Sequence, residues 1–163
     1  MIKQATMKDT KYIEEIMLDA VDWLHRIGME NKWTQASILW ENLSQSYQIT
    51  DFFIAWRDGK PAACMALTDY DSTYWPDKKK GESLYVHKLA VKREFAGKGC
   101  SREMLDYAKQ LAKKQGIKTL RLDCNRYRKK LRNVYEKQGF VCVKEEASCG
   151  DSGMALYVCE VEL

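Results

Sequence analysis

Proline is nearly absent from this chain, with Pro61 and Pro76 the only two in 163 residues. No Pro/Gly-rich linker, low-complexity segment or internal repeat interrupts it, and its length fits one domain over residues 1–163. Long apolar runs are also missing. None approaches the ~20 residues that span a bilayer, and no apolar stretch of signal-peptide length follows Met1-Ile2-Lys3-Gln4. The expected location is therefore the cytoplasm, with no membrane partner. Histidine occurs only as His25 and His87. Six cysteines (Cys64, Cys100, Cys124, Cys142, Cys149 and Cys159) include no C-x-x-C pair. These counts argue against a His/Cys metal centre, and no metal is expected. The cysteines read instead as small, buried, reduced side chains.

Charge of one sign is not strongly in excess. The net charge is +4, and acidic and basic residues alternate along most of the chain. That argues against a dedicated nucleic-acid binder, which gathers its charge on one face. Basic density rises only from Lys88 to Lys137, enough to attract a small polyanion.

What is present is a pattern of alternating strands and helices. A strand is expected over 1–5. Ile13, Ile16, Met17, Ala20 and Leu24 then recur at helical spacing behind Thr6 or Asp9 as cap. A second helix is expected over 36–47. Strands over 52–56 and 61–68 flank Arg57-Asp58-Gly59-Lys60, where Asp-Gly signals a hairpin. A long loop follows over 69–82, and loops of that length are often functional. Further strands are expected over 84–91, 119–122, 140–144 and 154–161, and helices over 101–115 and 128–138. The order is β-α-α-β-β-β-α-β-α-β-β. Its alternating second half favours an α/β mixed sheet with helices on both faces.

The informative segment is 84–101, LYVHKLAVKREFAGKGCS. A strand ends at Val91, Gly97-Lys98-Gly99 follows, and an amphipathic helix starts at once. Glycine lets the backbone take positive φ and approach a ligand closely. The first amides of a helix lack internal acceptors, and the helix dipole favours an anion there. Lys92, Arg93, Lys98 and Arg102 add positive charge. The product is a candidate pyrophosphate cradle, with an ordinary glycine turn as the alternative. It is not a Walker loop, since Gly99 follows Lys98 where Ser or Thr is needed. Nor is it a Rossmann loop, since Arg102 stands in place of the third glycine.

Together with Tyr135-Glu136-Lys137-Gln138-Gly139-Phe140 in the later segment 120–140, this region resembles the GNAT superfamily of N-acetyltransferases. The resemblance implies a splayed six- to seven-stranded sheet and acetyl-CoA as co-substrate. It places Gly97 and Gly99 at the pyrophosphate, with Lys98, Cys100 and Arg102 around them. Ala96 stands where the family has Gln or Arg, and Ser101 where it has Gly or Ala. Leu89, Ala90 and Val91 fall on the strand whose backbone binds the acetyl and pantetheine groups. In the family this strand splays from its neighbour at 119–123. Arg128 stands where many relatives carry Asn, and an arginine there could reach a phosphate.

The resemblance also places the Tyr135 hydroxyl near the sulfur of the cofactor, as acid for the departing thiolate. Amine acetylation further needs a proton acceptor. No Glu occurs over 85–91, and His87 has the reference pKa suited to neutral pH, a structural histidine being the alternative. Alternation puts Tyr85, His87, Leu89 and Val91 on one strand face. Asp69, Asp71 and Glu82 on the loop could act through water. The family builds its acceptor site from the N-terminal helices and this loop. Trp33, Tyr70, Tyr74, Trp75 and Tyr85 are therefore candidate walls for a small cationic amine. The expected activity is acetyl transfer to a primary amine of a small molecule or amino acid. The alternatives are a protein N-terminus or lysine as acceptor, or an acyl-CoA sensor without catalysis. No nucleic-acid partner is expected, and a homodimer is left open.

Overall fold

The computed structural model describes residues 1–29, 33–146 and 153–163. Seven strands form one open mixed sheet in the order β1-β2-β3-β4-β5-β7-β6, with helices flanking it. The strands are β1 (Ile2–Gln4), β2 (Phe52–Arg57), β3 (Lys60–Thr68), β4 (Leu84–Val91), β5 (Thr119–Asn125), β6 (Val141–Glu146) and β7 (Met154–Glu160). The helices are α1 (Thr10–Arg26), α2 (Trp40–Leu43), α3 (Cys100–Lys114) and α4 (Lys129–Lys137). The element order is the one read from the sequence. The chain divides into two compact units, Met1–Ala66 with Lys88–Met104, and Leu67–His87 with Leu105–Leu163. β3, β4 and α3 each contribute residues to both.

In the first unit, Asp58 and Gly59 take φ of +50° and +73° between the paired residues Arg57 and Lys60. Positive φ at both central residues gives the two-residue hairpin whose twist matches its strands. β2 and β3 are buried on both faces, so they read as continuous apolar runs. One face, with Phe52 opposite Ala66 and Ile54 opposite Cys64, packs against Ile13, Ile16, Met17, Ala20 and Val21 of α1. The start of α1 is set by Asp9. Its carboxylate accepts the Thr6 amide at 2.8 Å, and its own amide donates to the Thr6 carbonyl at 2.8 Å. This makes a single 3₁₀ turn ahead of the helix.

The helix expected over 36–47 is cut to one turn, Trp40–Leu43. The Thr34 amide donates to Ser37 Oγ at 2.8 Å, and the Ser37 amide to Thr34 Oγ1 at 3.0 Å. These reciprocal bonds cap a separate turn, in which the Ile38 amide donates to the Thr34 carbonyl at 3.3 Å. Leu39, at ψ 144°, is extended directly before the turn.

In the second unit, β5 pairs antiparallel with β7 from Thr119↔Glu160 to Asn125↔Met154, and β7 pairs with β6. Alternate residues of β5, namely Leu120, Leu122 and Cys124, are buried. Tyr135 of α4 packs on Phe140 and Tyr157, with ring centroids 5.9 Å away in each case. Arg132 braces the same corner, its Nε donating to the Tyr157 hydroxyl at 2.7 Å and its Nη2 pairing with Glu145 at 2.7 Å.

The feature that matters most for function lies in β4. Its pairing with β5 is parallel and covers only Leu84↔Leu120, Tyr85↔Arg121 and Val86↔Leu122. Two residues later Lys88 takes φ of +55°, the only positive φ of a non-glycine residue inside a described strand. A left-handed backbone costs an L-residue about 1–2 kcal/mol. It also breaks the alternation of side chains. Leu89 and Val91 therefore cannot be assigned to the face of Tyr85 and His87 by counting in twos, which corrects the expectation of one continuous face. Ala90 is the residue that enters the core with α1. The Lys88 ammonium lies 5.4 Å from the Trp33 ring, and its carbonyl accepts from Cys64 Sγ at 3.7 Å. Lys88→Val should lower unfolding free energy by ~1–3 kcal/mol, because a β-branched residue is poorly accommodated at this φ. Lys88→Gly, which loses the same ring contact, should stay more stable than Lys88→Val in urea titrations.

Candidate active site

The glycine turn is built from three local devices. Lys92 is tied back to the sheet by its amide, which donates to the Ala62 carbonyl at 2.9 Å. A 3₁₀ turn, Arg93–Phe95, buries Phe95 and leads into Ala96 in an extended conformation. Gly97 and Gly99 then take φ of +73° and +84°. Glu103 N–H donates to the Gly99 carbonyl at 3.0 Å and opens the helical ladder of α3. The amides of Cys100, Ser101 and Arg102 therefore precede the first helical bond. A Cβ added at Gly97 would meet no atom within 4 Å, so that side of the turn is open. Arg57 holds the turn from behind, donating to the Lys98 carbonyl at 2.8 Å and pairing with Glu103 at 2.7 Å. An open, amide-rich helix N-terminus fits a pyrophosphate.

The positive charge around this turn is smaller than the sequence implied. Lys92 pairs with Glu15 at 2.7 Å and with Glu94 at 3.5 Å, and the first hydrogen bond holds its pKa above the usual lysine value. The Arg93 guanidinium lies 3.8 Å from the Trp23 ring centroid, and its amide donates to Asp19. Arg93, Lys98 and Arg102 are exposed cations around the turn. Cys100 is buried at the helix start, Ser101 is half-buried, and Leu89 and Val91 are half-buried on β4.

His87 lies in the second unit, half-buried, with its ring stacked on Tyr85 at 6.4 Å and 18° between planes. Its ring nitrogen and carboxylate oxygens of Asp71 and Asp123 all lie within 4.8 Å of one another. Asp71 was legible as a loop carboxylate. Asp123 was not singled out; the signal available was a charge inside an apolar strand, on the half-buried positions shared with Arg121. Asp69 instead pairs with Lys80 at 2.6 Å, and the Glu82 carboxylate accepts the Lys79 amide.

Tyr135 is only 4% exposed, and burial pushes its phenol well above the ordinary tyrosine pKa. The hydroxyl, protonated at neutral pH as an ordinary phenol is, has a hydrogen to donate. Arg128 precedes α4, and its charge, like that of Asp123, acts on Tyr135.

The aromatic candidates fall in both units. Trp33 packs on the core of the first unit. Tyr74, Trp75 and Tyr85 form a cluster with Leu156 and Val158 in the second. Tyr70 is about half exposed. Trp75 is buried, the Arg121 guanidinium lies 4.7 Å from its ring, and its indole N–H has no hydrogen-bond acceptor among the described residues. Cys64, Cys100, Cys124 and Cys159 are buried free thiols. Burial pushes Cys64 and Cys124 up to about 12, which leaves them inert at neutral pH. Cys149 lies outside the described residues.

Residues 13–140 match the acetyltransferase (GNAT) family, and the chain belongs to that family. It is an acetyl-CoA-dependent acetyltransferase. The chain is 27% identical over 157 residues to an uncharacterized N-acetyltransferase, YesJ, of Bacillus subtilis (strain 168), covering 88% of this chain and 83% of the relative. Among solved structures it resembles a GNAT-family acetyltransferase of Listeria monocytogenes 4b F2365, with a TM-score of 0.73 and 24% identity over 99% of this chain and 94% of the other. It also resembles the PaiA N-acetyltransferase of Thermoplasma acidophilum in complex with coenzyme A, with a TM-score of 0.74 and 21% identity over 98% of both chains.

Gly97→Glu tests the turn. The new side chain strains a positive φ and brings an anion into the open side. Calorimetry should show coenzyme A binding abolished while thermal unfolding stays cooperative; unchanged affinity would place the cofactor elsewhere.

Proposed function

We propose that this protein transfers the acetyl group of acetyl-CoA directly to a primary amine of a small molecule or amino acid. The observation that carries the reading is the sequence of events along one strand. β4 carries His87 beside two carboxylates, turns left-handed at Lys88, and leads after Val91 into a glycine turn with open amides. The structure of the Thermoplasma acidophilum relative with coenzyme A supports the same cofactor here. The amides of Gly97 to Arg102, with Lys98 and Arg102, would hold the pyrophosphate. The backbone of Leu89, Ala90 and Val91 would bind the acetyl-pantetheine end, with the Leu89 amide as donor to the carbonyl oxygen.

Acetyl-CoA supplies the activated acyl group. Transfer forms a C–N bond and breaks a C–S bond, so one proton must leave nitrogen and one must reach sulfur. His87 accepts the proton from nitrogen, and Tyr135 delivers one to the departing thiolate. Aromatic Tyr74, Trp75 and Tyr85, near the acids Asp71 and Asp123, suit a cationic acceptor.

A thiol-release assay with acetyl-CoA across small amines, amino acids and peptides tests the reading. Turnover is expected with a small amine. Turnover with peptides alone would move the acceptor to a protein, and none with any amine would favour a binding module. Tyr135→Phe keeps the ring contacts with Phe140 and Tyr157 but deletes the donor. It should lower kcat by ~10²–10⁴-fold with acetyl-CoA affinity nearly unchanged. Full activity would remove Tyr135 from the chemistry.

A further inference from the structure

Three separate segments bring Asp71, His87 and Asp123 together, and each is fixed by its own local structure. Val86↔Leu122 is the last pair between the parallel strands β4 and β5. His87 and Asp123 are the next residue on each strand, and neighbours at one level of a parallel pair share a face. Asp71 comes from the loop before β4 and is only 8% exposed. Its Oδ1 accepts the amides of Thr73 at 2.9 Å and Tyr74 at 3.2 Å, so its carboxylate cannot swing away. The His87 ring lies nearly parallel to that of Tyr85, 18° between planes and 6.4 Å between centroids, and Tyr85 is buried and packs with Trp75 and Leu156.

We propose that Asp71 and Asp123 are positioning residues for His87. They fix the orientation of the imidazole and stabilise the imidazolium formed when it takes the proton from the acceptor nitrogen. This rests on the reading of His87 as the base. The balance is simple: the N–H bond of the amine breaks, the proton moves to the imidazole, and the two carboxylates stay ionised and only screen the new charge. A buried carboxylate beside a catalytic histidine acts this way without being protonated itself. Other titratable groups act around the same cluster: Tyr85 on β4, Arg121 on β5, Glu82 on the loop, and Arg128 and Tyr135 by α4. Arg121 is occupied in part, its Nε donating to Ser83 Oγ at 3.0 Å.

The chain has only two histidines, which makes the test direct. Imidazole resonances of the full-length, cofactor-free protein are followed by NMR through a pH titration, with His25→Gln used to assign them. In Asp123→Asn and in Asp71→Asn the His87 midpoint should move to lower pH than in the parent, while exposed His25 stays put. In the same variants kcat/KM should fall by ~10–100-fold, a share of what a general base contributes, and its ascending pH limb should shift in the same direction. An unchanged His25 signal and circular dichroism verify folding, and Asp123→Asn stands as the measurement if Asp71→Asn unfolds the loop. A His87 midpoint that moves in neither variant overturns the proposal. So does stoichiometric Zn²⁺ binding to the parent that disappears in Asp123→Asn, which would assign the cluster to a metal. Failure of the parent to acetylate any amine would count against the acetyltransferase reading alone, since the NMR titration decides the positioning role without turnover.

Discussion

An eight-residue strand that pairs with its parallel neighbour at only three positions is the constraint on which this structure turns. Backbone amides inside a sheet normally spend their hydrogen bonds on the next strand. β4 does so with β5 from Leu84 to Val86 and then departs, with Lys88 held left-handed. That conformation persists only because the surroundings hold it: Ala90 is anchored in the core under α1, and the Lys92 amide is bound to β3. Strain kept in place by packing is a recurrent mark of functional backbone.

Much of the fold was legible because local signals agreed with one another. The Asp58-Gly59 turn and the apolar stripe of α1 both pointed to the observed elements. The helix over 36–47 failed at one residue: Leu39 is extended and splits the segment, and no apolar periodicity reveals that. The left turn at Lys88 was illegible for a different reason. Lysine has no preference for positive φ, so only the fixed ends of the strand impose it.

The candidate site was legible in the parts that depend on sequence neighbours and obscure in those that depend on pairing. Gly97 and Gly99 announce an open turn by themselves. The company of His87 could not be read, because Asp123 lies 36 positions further along and reaches it through strand register. Charge was misread in the same way. Lys92 counted toward the positive charge near the loop in sequence, yet Glu15 of α1 already pairs with it. Two exposed cations, Lys98 and Arg102, sit on the glycine turn itself.

Amide hydrogen exchange with and without acetyl-CoA tests most directly the claim that β4 and the glycine turn together receive the cofactor. The account expects slowed exchange at residues 89–91 and 97–102 on adding acetyl-CoA, with residues 53–55 in the middle of β2 unchanged. Slowing confined to other segments, with residues 89–91 and 97–102 exchanging as before, would contradict it.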